Sequence, residues 1–331
     1  MTHSLLARIA ILALAWVSAM QGCSVPPEQR APEFIHGNVV WSAPSTSSKS
    51  SVAPALPTLN FGIGPWLSPR RMQIAYQALL DHLEHHTGHR FILNMAPDYG
   101  TLVDDLKAGR LDLAILPSSA YADTLDSDSS GLHYLVTSTR PTSTGASTPF
   151  YYGYIVTQLN SPMMNLSDLK GKRFGFVDRK SSSGYRFPLA TLLSAGIVPH
   201  RDFKRVVFLG SHDRIATALS DGTIDAGAIW DEAYDQLTSN GKNPMRVLSK
   251  TSPIPEEAWV AGSTIKEKLR VQLTETLLSV TPETTSPSGT PLFRGDLRKT
   301  GHKAQGSSFY EIMNETKRTV LEYEQAGKTG E

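Results

Sequence analysis

The chain has 331 residues, enough for about two domains of ordinary size. Its 32 basic and 31 acidic residues leave a formal charge of +1, which argues against nucleic acid as a partner. A single cysteine, Cys23, excludes an intramolecular disulfide.

The N-terminus has the pattern of an export signal. A basic start precedes an apolar run over residues 9–19, which is too short to span a bilayer as a helix of the mature protein. The run leads to Gly22 and Cys23, the ending typical of a bacterial lipoprotein signal. We therefore predict a signal peptide over residues 1–22, a lipid anchor at Cys23 and a location on the periplasmic side of a bacterial membrane. An ordinary secretory signal followed by a stray cysteine is the alternative.

Residues 23–57 are rich in Pro, Ser, Thr and Ala. Such a composition cannot bury enough apolar surface to offset the entropy of ordering the chain. We predict that this segment is a flexible tether between the anchor and a folded body.

The folded body begins with a pattern of alternating strands and helices. Its first unit has three predicted strands, each followed by a helix start with a capping residue or a first-turn proline. The strands are 59–63, 91–95 and 111–116, and the helix starts are Ser68-Pro69, Asp98-Tyr99 and Pro117-Ser118.

The same unit returns later in the chain at a constant offset. Phe61-Gly62-Ile63 returns as Phe174-Gly175-Phe176, and residues 109–114 return as residues 222–227. The repeat predicts two similar α/β lobes that face each other across a cleft, where ligands usually bind. The second unit has strands at 174–177, 206–209 and 224–229 and helix starts at Ser181-Ser182-Ser183-Gly184, Ser211-His212 and Asp231-Glu232.

The C-terminal part is predicted to return to the first lobe. Ser308 and Glu311 have the spacing of a capping box for a helix that runs to about Glu324. The predicted lobes are residues 58–150 with 259–331, and residues 151–258.

The helix starts of the predicted sheets are candidates for an anion site. In parallel sheets the strand ends that open into helices share one edge, and helix N-termini there present unpaired N–H groups and a positive dipole end. Ser181, Ser182 and Ser183 add hydroxyl donors beside Gly184. Alternatively, one serine only caps its helix.

His212 and Tyr99 occupy equivalent positions in the two units, each at a helix start. A ring-bearing donor in each lobe at the same edge makes both residues candidates for ligand binding. Taken singly, His212 is better explained as a capping or surface histidine.

Several segments, taken in order, resemble the phosphate, phosphite and phosphonate-binding proteins of ABC importers. They are Val177-Asp178-Arg179-Lys180-Ser181-Ser182-Ser183-Gly184-Tyr185 with Pro188, then His212, Asp225-Ala226-Gly227 and Ser252-Pro253-Ile254-Pro255. The resemblance covers about residues 58–325. It implies an α/β, two-lobed periplasmic-binding-protein fold (type II-like), with two mainly parallel sheets flanked by helices. It also implies capture of a small oxyanion for an ABC permease, and we expect a monomer without cofactor or metal.

The resemblance further implies which residues bind the oxyanion. The family's serine-rich helix start, which binds the phosphonyl oxygens, matches Ser181 to Ser183. Its helix-start histidine matches His212, and its tyrosine in an Asp-Tyr helix start matches Tyr99. A second aromatic donor, before the strand that crosses into the second lobe, matches Tyr151.

Members that take up aminoalkylphosphonates add two carboxylates for the ligand's ammonium, and these match Glu232 and Glu257. A carboxylate near the cleft repels an ionised ligand unless it takes up a proton or faces a cation. The pair therefore favours a zwitterionic ligand. Alternatively, Glu232 only lies in a first helical turn and Glu257 is a surface loop residue.

Two other functions remain open at this point. A sensor that presents its closed form to a membrane histidine kinase has the same fold and the same ligand. An enzyme needs a nucleophile with a paired base, and a serine of 181–183 with His212 lacks an evident orienting acid. We therefore predict that the protein is not an enzyme.

Trp66 and Trp230 both lie at strand-to-helix junctions. Each of them either lines the cleft or packs at the edge of a lobe.

Overall fold

The computed structural model describes the backbone of residues 34–35 and 38–39, and residues 55–125, 131–142, 144–239, 244–295 and 297–329. The predicted signal peptide, Cys23 and most of the predicted tether lie outside the described residues.

Strands and helices alternate along the described chain, with boundaries close to those predicted from the repeat. The strands are β1 (Phe34–Ile35), β2 (Asn38–Val39), β3 (Thr58–Ile63), β4 (Arg90–Met95), β5 (Leu113–Leu116), β6 (His133–Pro141), β7 (Ser147–Thr148), β8 (Phe150–Tyr151), β9 (Gly153–Gln158), β10 (Arg173–Phe176), β11 (Arg205–Phe208), β12 (Ala226–Trp230), β13 (Met245–Lys250), β14 (Ile254–Pro255), β15 (Ala258–Ala261) and β16 (Gly301–Lys303). The α-helices are α1 (Pro69–Thr87), α2 (Tyr99–Lys107), α3 (Ser118–Leu125), α4 (Phe187–Ser194), α5 (Pro199–Asp202), α6 (His212–Ser220), α7 (Asp231–Thr238), α8 (Glu267–Ser279) and α9 (Met313–Thr329). A turn of π-helix occupies Ser182–Arg186, and 3-10 turns occupy Leu166–Leu169 and Ser307–Ile312.

The first sheet has the strand order β16-β6-β15-β5-β3-β4. Strand β3 pairs in parallel with β4 and β5, the strands of the first repeated unit. Strands β15, β6 and β16 add antiparallel pairs. Helix α1 returns the chain from β3 to β4 and ends at Gly88, whose φ of 66° is readily adopted only by glycine.

The second sheet has the strand order β11-β10-β12-β9-β13. Strand β10 pairs in parallel with β11 and β12, and β9 lies antiparallel between β12 and β13. Each repeated unit thus forms a parallel part, and the strands outside it add antiparallel pairs. The α/β architecture with two such sheets confirms the predicted fold class. The sheets are mixed and not mainly parallel as predicted, because strands outside the repeated units pair antiparallel with them.

Equivalent glycines explain why the repeat is visible in the sequence. A Cβ atom at Gly175 would lie 2.7 Å from Ile224 Cδ1, and one at Gly62 would overlap the side chains of Leu111 and Leu102. Both glycines therefore let apolar side chains pack directly on a strand. The same close packing in two units requires the same residue at the equivalent position.

The C-terminal helix begins differently from its prediction. The chain enters the preceding 3-10 turn through Gly306, which has a φ of 74° and makes no side-chain capping hydrogen bond. Ser308 therefore lies inside the turn and not at an N-cap, so the predicted capping box with Glu311 is wrong. Helix α9 starts only at Met313.

Helix α9 packs partly on the second sheet. Val320 belongs to the same apolar cluster as Phe174 and Phe176. Glu324 Oε1 accepts hydrogen bonds from Arg179 and Tyr185, each at 3.0 Å.

The division of the chain into lobes of residues 58–150 with 259–331 and residues 151–258 stays a prediction. Within the described residues, no helix combines the length and the apolar character needed to cross a bilayer.

Candidate functional site

A cavity of about 70 Å³ lies where the helix starts of the two sheets meet. Every residue predicted to bind the ligand lines it except Glu232, which is not among the lining residues within the described chain. Those that do are Tyr99, Tyr151, Ser181, Ser182, Ser183, His212 and Glu257. Their positions bring them together, while their roles in binding stay a prediction.

The three serines begin the π-helical turn that leads into α4. Ser181 is the N-cap, and its Oγ accepts a hydrogen bond from the Gly184 N–H at 3.0 Å. A Cβ atom at Gly184 would lie 2.5 Å from Val177 Cβ, so glycine lets this turn lie against the end of the strand. Ser181 therefore acts as a cap, whereas Ser182 and Ser183 make other contacts.

Ser182 joins the two sides of the cavity. Its Oγ accepts a hydrogen bond from the Ser119 N–H at 2.9 Å and lies 3.0 Å from Ser118 Oγ. Ser118 and Ser119 begin α3, directly after a strand of the first sheet. The contact therefore holds one helix start of the first sheet against one of the second.

His212 offers an uncharged N–H donor to the cavity. It is the first residue of α6 and is 3% exposed. Burial lowers the pKa of His212 to about 3, so its ring is neutral near pH 7. Nδ1 accepts a hydrogen bond from the Trp230 N–H at 3.3 Å. The ring proton of a neutral histidine that accepts at Nδ1 lies on Nε2, which makes Nε2 a donor.

Tyr99 and Tyr151 line the cavity as neutral phenols. Burial raises the pKa of Tyr99 well above its usual range, and the charge of Asp178 adds to the shift. Burial also raises the pKa of Tyr151, with a further contribution from Glu256, while a hydrogen bond with Ser183 acts in the opposite direction. Both hydroxyls keep their protons and remain able to donate hydrogen bonds.

Trp66 and Trp230 also line the cavity, with ring centroids 5.3 Å apart in an edge-to-face arrangement. Trp66 follows β3 and Trp230 is the last residue of β12, so their contact joins the two sheets. Trp230 Nε1 is buried and has no hydrogen-bond partner within the described part of the chain. This indole N–H is a further uncharged donor on a residue of the cavity wall.

A buried ammonium group faces the carboxylates at the cavity. Lys299 Nζ lies 2.8 Å from Glu256 Oε2 and 2.8 Å from Glu257 Oε1, and the lysine side chain is 5% exposed. Burial opposes the charge of Lys299, but the two carboxyl groups raise its pKa above the usual range. Burial raises the pKa of Glu256. Burial also acts to raise the pKa of Glu257, but the charge of Lys299 and the hydrogen bonds from Glu256 and Lys299 together lower it. Glu257 and Lys299 are therefore the charged pair.

Arg140 neutralises a second group of carboxylates. Its NH1 lies 2.6 Å from Asp231 Oδ1, and its other guanidinium nitrogens lie 3.6 Å from Glu232 Oε2 and 3.7 Å from Glu256 Oε1. The side chains of Glu232 and Glu256 are each 1% exposed. Glu232 thus belongs to a buried ion network that links β6 to the start of α7.

Glu232 is expected to make stability depend on pH. Burial raises the pKa of Glu232 to about 7 from an ordinary value of 4.5, although Lys299 and Arg140 oppose the shift. The folded state therefore binds this proton more tightly than the unfolded chain, and the resulting stability is lost as the pH rises from 4.5 through about 7. We expect the free energy of unfolding to fall less between about pH 5 and pH 8 in Glu232→Gln than in the wild type. Urea unfolding measures both slopes, and equal slopes would contradict this assignment.

Local sequence patterns do not reveal Arg140 or Lys299. Arg140 lies on β6 and Lys299 precedes β16, and both positions fall outside the repeated units. The adjacent Glu256 and Glu257 directly precede the apolar residues 258–261, and this is a usable signal. Two carboxylates next to a buried strand need a cation from elsewhere in the chain if they are buried with it.

Comparison with known proteins matches the chain to substrate-binding proteins. A family model described as an ABC transporter, phosphonate, periplasmic substrate-binding protein matches residues 61–304. The phosphate-import protein PhnD of Mycolicibacterium smegmatis is 30% identical over an alignment of 206 residues that covers 58% of this chain and 61% of that protein. The chain thus matches less than two thirds of that relative's length. The phosphonates-binding periplasmic protein of Escherichia coli is 24% identical over an alignment of 234 residues that covers 68% of this chain and 67% of that protein.

Solved structures share the fold. A binding protein component of an ABC phosphonate transporter from Pseudomonas aeruginosa has a TM-score of 0.72 at 19% identity, with coverage of 82% of this chain and 89% of that chain. A Prochlorococcus marinus protein in complex with methylphosphonate has a TM-score of 0.70 at 19% identity, with coverage of 80% of this chain and 98% of that chain. At such low identity the likeness shows the fold alone, which is the two-lobed fold predicted.

Proposed function

The chain belongs to the phosphonate-type periplasmic substrate-binding proteins of ABC transporters, and from this premise we propose that it captures a small phosphorus oxyanion and delivers it to an ABC permease. Proteins of this family bind substrates outside the cytoplasm and are not enzymes, so this chain is an extracytoplasmic binding protein.

The observation that carries the proposed ligand class is the set of uncharged donors around the cavity. His212 is neutral, Tyr99 and Tyr151 keep their hydroxyl protons, and Trp230 has an unpartnered N–H within the described residues. The N-termini of α2 and α6 add their dipoles. A tetrahedral oxyanion has several acceptor oxygens and is well matched by many such donors.

Phosphate, phosphite and small phosphonates are the ligands we propose. A cavity of about 70 Å³ favours a ligand of few heavy atoms. The names of two relatives support the same class, since one imports phosphate and the other binds phosphonates.

An uptake assay tests delivery. The gene is deleted in its own bacterium, and uptake of labelled phosphate, phosphite and methylphosphonate is measured after return of either the wild type or His212→Ala. We expect the deletion to reduce uptake of at least one compound and the wild type alone to restore it. Unchanged uptake of all three compounds in the deletion strain would contradict the proposal.

We further propose that Cys23 carries a lipid anchor, on the basis of the signal pattern around residues 1–22. We expect the wild type to sediment with membranes and Cys23→Ala to appear in the soluble periplasmic fraction, because one or more acyl chains are lost. Cell fractionation followed by mass spectrometry of the N-terminal peptide measures both effects. The same fractionation pattern for both proteins, without an acyl mass on Cys23, would contradict anchoring.

A further inference from the structure

Lys299 places a fixed positive charge in the wall of the ligand cavity. It lines the cavity together with Glu257, and its ammonium lies 2.8 Å from the carboxylates of both Glu256 and Glu257. Lysine is rarely buried to 5% exposure unless it is paired, and here it has two partners. The ammonium group of Lys299 is therefore a permanent, charge-paired component of the cavity wall.

The fixed cation changes what Glu257 does to a ligand. A lone carboxylate at this position would repel an oxyanion, and a cationic group on the ligand would then be needed to relieve the repulsion. Lys299 already provides that cation from within the chain. Its ammonium has three N–H donors, and two carboxyl partners leave one donor for a ligand oxygen.

Glu232 does not provide a replacement site for a ligand cation. Its side chain is 1% exposed, it faces Arg140 at 3.6 Å, and it is absent from the cavity lining within the described residues. A second ammonium in a cavity of about 70 Å³ would instead lie close to that of Lys299, and like charges in a desolvated space repel strongly.

We propose that Lys299 determines the ligand class of this site. It supplies the cation that a zwitterionic ligand would otherwise bring, so the site accepts oxyanions without an ammonium group and rejects aminoalkylphosphonates. This inference rests on the proposed function, since it specifies which phosphorus oxyanions bind. It replaces the expectation of a zwitterionic ligand, which rested on Glu232 and Glu257 when the sequence was considered alone.

Calorimetric titration of the full-length protein with methylphosphonate and 2-aminoethylphosphonate tests the inference. The two ligands share the phosphonate group and differ in the ammonium. We expect the wild type to bind methylphosphonate at least about tenfold more tightly than the amino compound. In Lys299→Met, which keeps the length of the side chain and removes the charge, we expect this ratio to fall by about tenfold or more.

Three further variants make the result specific. Lys299→Arg keeps the cation and should keep the discrimination, and Lys303→Met removes an exposed lysine on β16 and should change nothing. If Lys299→Met does not fold because buried carboxylates lose their partner, Lys299→Met combined with Glu256→Gln removes one of those carboxyl groups and retains Glu257 for a ligand ammonium. The same fall in the ratio is expected there.

The outcomes separate this inference from the proposed function. Wild-type binding of the amino compound as tight as that of methylphosphonate would overturn the role of Lys299 while leaving oxyanion binding intact. A ratio that stays the same in both charge-removing variants would also overturn it. If the folded wild type binds neither these ligands nor phosphate or phosphite, the proposed function fails, and the inference fails with it.

Discussion

His212→Ala is expected to weaken binding of the phosphorus oxyanion by about ten- to hundredfold. The variant removes a neutral N–H donor from a buried cavity, and hydrogen bonds to charged groups contribute about 1.5–3 kcal/mol. The pKa of His212, lowered to about 3 by burial, keeps the ring neutral, so the loss comes from a hydrogen bond and not from a salt bridge. Calorimetric titration of the full-length protein measures the change in affinity.

His302→Ala is the matched control for His212→Ala. His302 is 8% exposed, burial lowers its pKa to about 4, and its Nδ1 lies 3.0 Å from the Leu277 carbonyl oxygen. It does not line the cavity within the described chain. We expect this variant to lower stability and leave affinity unchanged. Equal losses of affinity in the two variants would show that His212 acts only through the fold.

Arg140→Met is expected to reduce the free energy of unfolding by about 3–5 kcal/mol, because removing one partner of a buried ion pair leaves uncompensated charge. Its guanidinium lies 2.6 Å from Asp231, 3.6 Å from Glu232 and 3.7 Å from Glu256. Burial raises the pKa of Glu232 to about 7, so protonation relieves part of the loss in acid. Urea unfolding near pH 8 and near pH 5 should therefore show the larger loss at the higher pH.

Arg201→Met provides the comparison for Arg140→Met. Arg201 pairs with Asp202 at 2.8 Å, but its side chain is 60% exposed. Exposed ion pairs contribute little to stability, so we expect almost no change. If the two arginine variants unfolded at the same urea concentration, the buried network would not stabilise the fold in the way proposed.

The repeated units made most of the fold and several of the cavity-lining residues predictable. Strand periodicity and helix starts lie close together in the sequence, so local patterns placed Tyr99, Ser181 and His212 at strand-to-helix junctions. Because parallel strands bring those junctions to one edge, the cavity could be predicted without knowing side-chain contacts. The structure brings these residues together at that edge.

The charge balance of the site could not be predicted in the same way. Residues 251–263 around Glu257 contain no basic residue. Its partner Lys299 comes from a distant segment without a repeat or a motif. The C-terminal capping box failed for a related reason, since Ser308 and Glu311 have the right spacing but Gly306 sets a different entry into the turn. Sequence spacing identifies possible partners, whereas the path of the backbone decides which contacts between them form.

Calorimetric titration of the full-length wild type with phosphate, phosphite and methylphosphonate, with acetate as a control anion, tests the central claim most directly. We predict one binding site per chain for at least one phosphorus oxyanion and no measurable heat with acetate. The claim would be contradicted if a sample shown to be folded by its cooperative unfolding transition bound none of the three.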